Sequence, residues 1–97
     1  METIEVQFRI FKNEVMAVFP YIIDGRNTVL SYVHNGQHSG CIWDINRITK
    51  PAKETEYQNL LTELKSIYFD YNLVVIKRRN HQKYLTLYHK YVEEHIG

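Results

Sequence analysis

Ile4, Val6, Phe8 and Ile10 alternate with Glu5, Gln7 and Arg9, and a second apolar run, Val15 to Ile23, follows within a few residues. A period of two is the mark of a half-buried strand. Lys12-Asn13 suits a two-residue turn, because Asn13 tolerates a positive φ. That turn sets Phe11 opposite Glu14, Ile10 opposite Val15, Phe8 opposite Ala17 and Val6 opposite Phe19. Opposed residues share a face, so this register gathers the apolar side chains into one stripe. A slip of one residue scatters them. The chain is therefore expected to begin with a hairpin whose apolar face needs a cover.

Pro20 cannot donate to a ladder and marks an edge, a bulge or the end of pairing. Asp24-Gly25-Arg26-Asn27 reads as a turn, and Thr28 to His34 is rich in β-formers. After the loop Asn35 to Gly40, Cys41, Trp43 and Ile45 alternate with Ile42, Asp44 and Asn46, as in a fourth strand. The period then changes. Tyr57, Leu60, Leu61, Leu64, Ile67 and Tyr68 recur at helical spacing, with Pro51 at the start, Glu54 and Glu56 in the first turns and an end near Asp70. Leu73-Val74-Val75-Ile76 reads as a strand covered on both faces. Asn80 is placed to cap a second helix, in which Tyr84, Tyr88, Tyr91, Val92 and His95 share a stripe. The expectation is one α+β domain over residues 1–97, in the order ββββαβα. It has an antiparallel sheet, a four-strand meander plus a fifth strand, with helices covering one of its faces. The last helix, whose stripe is tyrosine-rich rather than leucine-rich, either docks on the core or projects as a partner surface.

Composition narrows the function classes. The chain has 97 residues, is 44% hydrophobic and 24% charged, and holds one cysteine. These values fit a globular domain rather than a disordered chain. No apolar run approaches the ~20 residues of a membrane span. The acidic, alternating N-terminus is unlike a signal peptide, and Cys41 has no partner for an internal disulfide, so a cytoplasmic protein is expected. No phosphate-cradling loop, dinucleotide fingerprint or nucleophile elbow is present, and no cofactor is expected.

Charge is unevenly distributed. Residues 1–70 hold seven Lys/Arg against nine Asp/Glu, whereas 71–97 hold five against two. Between Tyr71 and Val92 there is no acidic residue. Lys77, Arg78, Arg79, Lys83 and Tyr84 combine phosphate-neutralising cations with a ring able to stack on a base, the minimal kit of a nucleic-acid interface. The bland reading is a solvated strand end and helix. His34 and His38 are weak metal-ligand candidates, since Asn35-Gly36 argues for a turn and no third ligand has a diagnostic spacing. Cys41 with His34 or His38 has the ingredients of a thiolate–imidazolium pair. Its alternation with Trp43 and Ile45 points instead to a strand-core cysteine, and the chain is not read as an enzyme.

Eight tyrosines and four phenylalanines are many for this length. Tyrosine has an apolar body and a polar tip, which suits both a core rim and a recognition surface. A period of 3.6 cannot bury Tyr68, Phe69 and Tyr71 together. With Tyr88 and Tyr91 on the last helix, these are the candidate interface residues.

Phe8-Arg9-Ile10-Phe11-Lys12-Asn13-Glu14-Val15, with Ala17, Phe19 and Pro20, resembles the opening of a family of short uncharacterised proteins from gut bacteria of the Bacteroides group and their mobile elements. Tyr32 to His38, Thr49-Lys50-Pro51-Ala52, Glu56-Tyr57 with Leu60, and Tyr71-Asn72-Leu73 running into Lys77-Arg78-Arg79 are similar to stretches of the same family, in the same order. Lys53 departs from it, standing where the family has a threonine as helix N-cap, which leaves Thr49 as another candidate cap. The resemblance implies a bacterial accessory protein and carries no assigned activity. The functional expectation is a small bacterial accessory or binding protein acting through protein–protein contacts or self-association, for instance as a homodimer. The alternative is a nucleic-acid-binding protein using the basic, tyrosine-rich segment 77–91.

Overall fold

The computed structural model describes residues 1–33 and 37–95. Four strands, β1 (Glu2–Phe11), β2 (Glu14–Gly25), β3 (Thr28–Val33) and β4 (Gln37–Ile42), form an antiparallel meander. A 3-10 helix over Trp43–Arg47 follows, then the two-residue strand β5 (Lys50–Pro51) and helix α1 (Glu54–Ile67). Strand β6 (Tyr71–Val75) and helix α2 (His81–His95) complete an α+β fold.

The first hairpin has the register that the apolar stripe requires: Phe8 opposite Ala17, Ile10 opposite Val15 and Phe11 opposite Glu14. Lys12 and Asn13 both take positive φ, at 51° and 67°. These are the angles of a type I′ turn, whose twist matches the flanking strands. Pairing of β1 with β2 ends at Gln7 and Val18, short of the expected Val6–Phe19 pair. Opposite β3, Phe19 pairs with Leu30 but the next partner of Val29 is Ile23. Pro20, Tyr21 and Ile22 are thus a bulge in an interior strand, which spares Pro20 a ladder bond.

The far edge of β1 is shared. Lys50 and Pro51 pair antiparallel with Ile10 and Arg9, and β6 pairs parallel with Glu2 to Val6. Helix length accounts for this division. The 14 residues of α1 rise roughly 21 Å, close to the ~23 Å between Arg9 and Glu2 along an extended strand. The helix therefore returns the chain to the start of β1, and β6 runs beside it in the same direction. The sheet is mixed rather than wholly antiparallel.

The two helices cover opposite faces, not one. Leu60, Leu61 and Leu64 of α1 join Val6, Phe8, Ala17, Phe19 and Tyr32 in one core. Met16, Val18, Val29, Ile45 and Tyr84 form a second core beneath α2 and the 3-10 helix. The polar residues of β1 therefore face a covered side, and Gln7 and Arg9 are buried at 2% and 7% exposure. Trp43 and Ile45 belong to the 3-10 helix, not to a fourth strand. Strand β6 is an edge strand with Val74 exposed, not one covered on both faces. Ile67 is exposed, outside the core stripe of α1.

Pro51 sits in β5, three residues before α1 begins. Glu56 accepts a hydrogen bond from the Lys53 backbone N–H at 2.8 Å, which is half of a capping box. A lysine side chain has no acceptor to return. Thr49 does not cap the helix, because its hydroxyl donates to the Ile45 carbonyl and accepts from Arg9. Lys53→Thr supplies the missing half, and the extended backbone at this position already suits a cap. The variant is expected to be more stable by about 1 kcal/mol. An unchanged urea midpoint would show that the introduced hydroxyl does not engage the free N–H groups.

Candidate functional site

The segment that leaves β6 crosses the edge of β1. Ile76 N–H donates to the Val6 carbonyl at 2.8 Å, and the Gln7 side-chain amide donates to the Lys77 carbonyl at 2.9 Å. These two bonds hold Lys77 and Arg78 outward, both exposed. They line a notch of about 610 Å³ that opens where β5 and β6 leave the edge of β1 uncovered, with Gln7, Arg9, Lys53 and Tyr57 among its walls. A smaller hollow of about 370 Å³ adjoins it across Lys77 and Arg78 and is bounded by Trp43, Asn46 and His81.

Arg9 holds the 3-10 region to the sheet. Its Nε donates to Thr49 Oγ1 at 2.9 Å, and its Nη2 donates to the Thr49 carbonyl at 2.8 Å and to the Asn46 carbonyl at 3.4 Å. All three acceptors are neutral. Burial lowers the pKa of the guanidinium from its ordinary value. Periodicity alone assigns Arg9 to a solvated face, since nothing local to β1 announces that the segment from Asn46 to Thr49 covers it.

Three of the five predicted nucleic-acid contacts are engaged within the molecule. The Arg79 guanidinium lies 4.1 Å from the Trp43 ring centre and donates to the Trp43 carbonyl. Lys83 pairs with Glu5 at 2.6 Å and sits over the Tyr21 ring. Tyr84 is 2% exposed and stacks on Trp43 at 3.8 Å with an interplanar angle of 9°. Lys77 and Arg78 form no ion pair among the described residues.

The other ring-bearing positions divide in two. Tyr88 and Tyr91 continue a ladder of near-parallel rings along α2, from Tyr84 at 5.7 Å to Tyr88, 6.4 Å on to Tyr91 and 4.3 Å on to His95. They are half-buried, and Asn80 caps this helix through Oδ1, which accepts from Lys83 N–H at 3.1 Å. Tyr68 packs on Phe19 at 5.7 Å and its hydroxyl meets His38 Nε2 at 2.8 Å. Phe69 and Tyr71, by contrast, face outward at 73% and 40% exposure.

His34 lies outside the described residues. Among those described, no three His, Cys, Asp or Glu side chains come together as a metal site would need, and no helix is long and apolar enough to cross a membrane. Burial, as the main cause, raises the Cys41 thiol above its ordinary pKa, opposite to what an activated nucleophile requires. Tyr68 and Tyr84 are raised for the same reason, with Tyr71 and Tyr88 adding to the shift.

A pH dependence follows from these shifts. Each of the three groups is held neutral by the fold, so its stabilising contribution is complete below its unfolded pKa and lost as pH rises through the folded value. Unfolded thiols titrate near ~8.5 and tyrosines near ~10. The urea midpoint is expected to fall progressively above about pH 8.5 as the thiol and then the phenols ionise. Thiol labelling of the native protein should be slow at neutral pH. A midpoint that holds steady through the tyrosine range would contradict the buried state of these groups.

Compared with protein-family models, curated proteins and solved structures, the chain matches none.

Proposed function

We propose that this protein is a small accessory binding module of a bacterial mobile element, and that it assembles with itself through the outer edge of β6. The observation that carries this reading is the position of its exposed apolar side chains. Among the described residues seven large hydrophobics are exposed; four of them (Met1, Phe69, Tyr71 and Val74) lie on β6, on the turn that leads into it, or beside it before the start of β1, and Ile67 ends α1 just ahead of that turn. Tyr71 and Val74 alternate to opposite faces of the strand, so what these side chains share is the β6 edge. Exposed apolar groups gathered along one edge mark an interaction site where scattered ones do not.

The edge itself supports the same reading. Natural edge strands are blunted by lysine, proline, bulges or inward charges. Tyr71-Asn72-Leu73-Val74-Val75 has none of these. The opposite edge, β4, carries His38, Ser39 and Gly40 in its centre, a more polar strand with less to bury. An antiparallel pairing of β6 with β6 of a second copy is self-complementary, as a two-fold dimer requires. It joins two sheets into one and buries Phe69 and Tyr71 against the partner. The nucleic-acid alternative is less supported, because Arg79, Lys83 and Tyr84 are occupied within the fold.

Sedimentation of the pure protein tests the proposal. The expected result is a dimer whose fraction rises with concentration, and a monomer for Val74→Lys with an unchanged circular dichroism spectrum. A wild-type chain that stays monomeric at high micromolar concentration, or a Val74→Lys variant that dimerises as well as the parent, would overturn it.

A further inference from the structure

We infer that the notch between β5 and β6 binds a small phosphate monoester carrying a flat, partly apolar body, a ligand of mononucleotide size. Its volume of about 610 Å³ lies within the usual span of small-molecule sites, about 300–1,000 Å³. The inference is independent of the self-association reading, which uses the outer side of β6.

The cations are the first argument. Arg9, Lys53, Lys77 and Arg78 all border the notch, with Glu54 as the one carboxylate on its wall. None of the four cations forms an ion pair among the described residues. Arg9 is the informative one. It is 7% exposed, and its hydrogen bonds occupy Nε and Nη2 alone, all to neutral oxygens. Its Nη1 has no protein acceptor among the described residues. A buried guanidinium without a counter-charge is an unusual thing for a fold to keep, and an oxyanion is the chemistry that completes it. Arg79 lies near enough to Arg9 to lower its own pKa further, so positive charge accumulates on this side of the sheet.

The second argument comes from the neutral walls. Gln7 is 2% exposed; its Nε2 donates to the Lys77 carbonyl, and its Oε1 has no partner. Asn46 Oδ1, on the wall of the adjoining hollow, is also buried and unpartnered. Two orphaned acceptors beside unpaired cations fit a ligand that brings hydroxyl or amine donors along with its anion. Tyr57 supplies the surface for a flat body. Its ring lies parallel to Phe8 at 4.4 Å, which holds it rigid while it remains half-exposed towards the notch.

The test is a nuclear magnetic resonance titration of the isotopically labelled full chain with adenosine monophosphate, adenosine, inorganic phosphate and a short single-stranded oligonucleotide. Adenosine monophosphate is expected to shift the Arg9 Nε–H and Gln7 side-chain amide signals saturably, inorganic phosphate to shift Arg9 more weakly, and adenosine to leave Arg9 unmoved. Lys77→Glu with Arg78→Glu changes two exposed side chains and should weaken binding at least tenfold, leaving the Trp43 and α2 signals in place. Arg9→Lys keeps the charge and removes the fork, so it should also weaken binding if it folds. Arg9 and Gln7 signals indifferent to the monophosphate at millimolar concentration would overturn the inference. So would an oligonucleotide that shifts Lys77 and Arg78 while the monophosphate shifts nothing, which would make this an open nucleic-acid surface.

Discussion

Phe19→Ala is expected to cost about 3–5 kcal/mol, a large share of the ~5–15 kcal/mol that holds a domain of this kind folded. Phe19 is completely buried and lies at the last regular pair before the Pro20 bulge. Its ring meets Tyr68 at 5.7 Å, and it belongs to the core that β1, β2 and β3 share with α1. The surroundings are poorly able to collapse into the space. Two neighbouring strands are tied by ladder bonds, and the bulge already fixes the local twist. The cavity term should therefore be near the upper end of the usual range. Urea unfolding measures the loss directly, and Phe19→Leu should recover more than half of it. A loss under about 1.5 kcal/mol would mean that the bulge relaxes to fill the site.

The second large effect is expected at Trp43. Its indole stacks on Tyr84, takes the Arg79 guanidinium on its ring and donates from Nε1 to His81 Nδ1 at 3.1 Å. Its backbone N–H donates to the Asn27 carbonyl at 2.9 Å, and its carbonyl accepts from Arg79. The 3-10 helix is thereby joined to the β2–β3 turn on one side and to α2 on the other. Trp43→Ala removes the ring alone, so the backbone bonds survive while the attachment of α2 loses its central contact. The expected cost is roughly 3 kcal/mol, combining lost burial with a desolvated cation–π contact. The loss should be local. Amide exchange is expected to accelerate throughout α2 and to change little in α1. Equal acceleration in both helices would show that the two faces open together. Trp43→Phe keeps a ring on Tyr84 and should lose far less.

The two substitutions probe opposite sides of one sheet. Phe19 and Trp43 belong to different cores, so their separate losses should add. Their sum, roughly 6–8 kcal/mol, falls in the lower part of the ~5–15 kcal/mol of a domain of this kind, and the double variant is expected to unfold at a urea concentration well below that of either single variant. Strong non-additivity would point to coupling through β2, which contributes Phe19 to one core and Met16 and Val18 to the other.

Most elements are legible in the chain, because each announces itself by local periodicity. The alternation of Ile4 to Ile10, the Lys12-Asn13 turn and the register they impose all reappear, as does the stripe Leu60, Leu61, Leu64 of α1. Asn80 caps α2 as its position before the tyrosine stripe requires. The readings that fail involve the same kind of information. Alternation places Trp43 and Ile45 on a strand, but alternation over three residues is also compatible with a tight helical turn. Leu73-Val74-Val75-Ile76 is a continuous apolar run. Such a run marks two-sided cover only when the strand is central, and β6 is at the edge.

The candidate site is the least legible part. Lys77 and Arg78 stand out as a basic pair in an acid-free segment, and they do border the notch. Arg79, Lys83 and Tyr84 belong to the same run and point elsewhere, because a chain segment cannot state which of its side chains meets Trp43, Glu5 or open solvent. The period of two assigns Arg9 and Gln7 to a wet face. Only the packing of distant segments buries them: Asn46 and Thr49 against Arg9, and the chain at Lys77 against Gln7.

Near-neighbour chemistry thus specifies the hairpin, its register, the two helices and their apolar stripes. These features depend on interactions that recur at fixed spacing along the chain. Long-range packing alone places the helices on opposite faces, runs β6 parallel to β1, and leaves a buried arginine beside a notch with no ion-pair partner among the described residues. Those outcomes depend on where 14 residues of α1 deliver the chain and on which face the Trp43–Tyr84 stack seals. They rest on contacts between distant residues, and such contacts leave no period in the sequence.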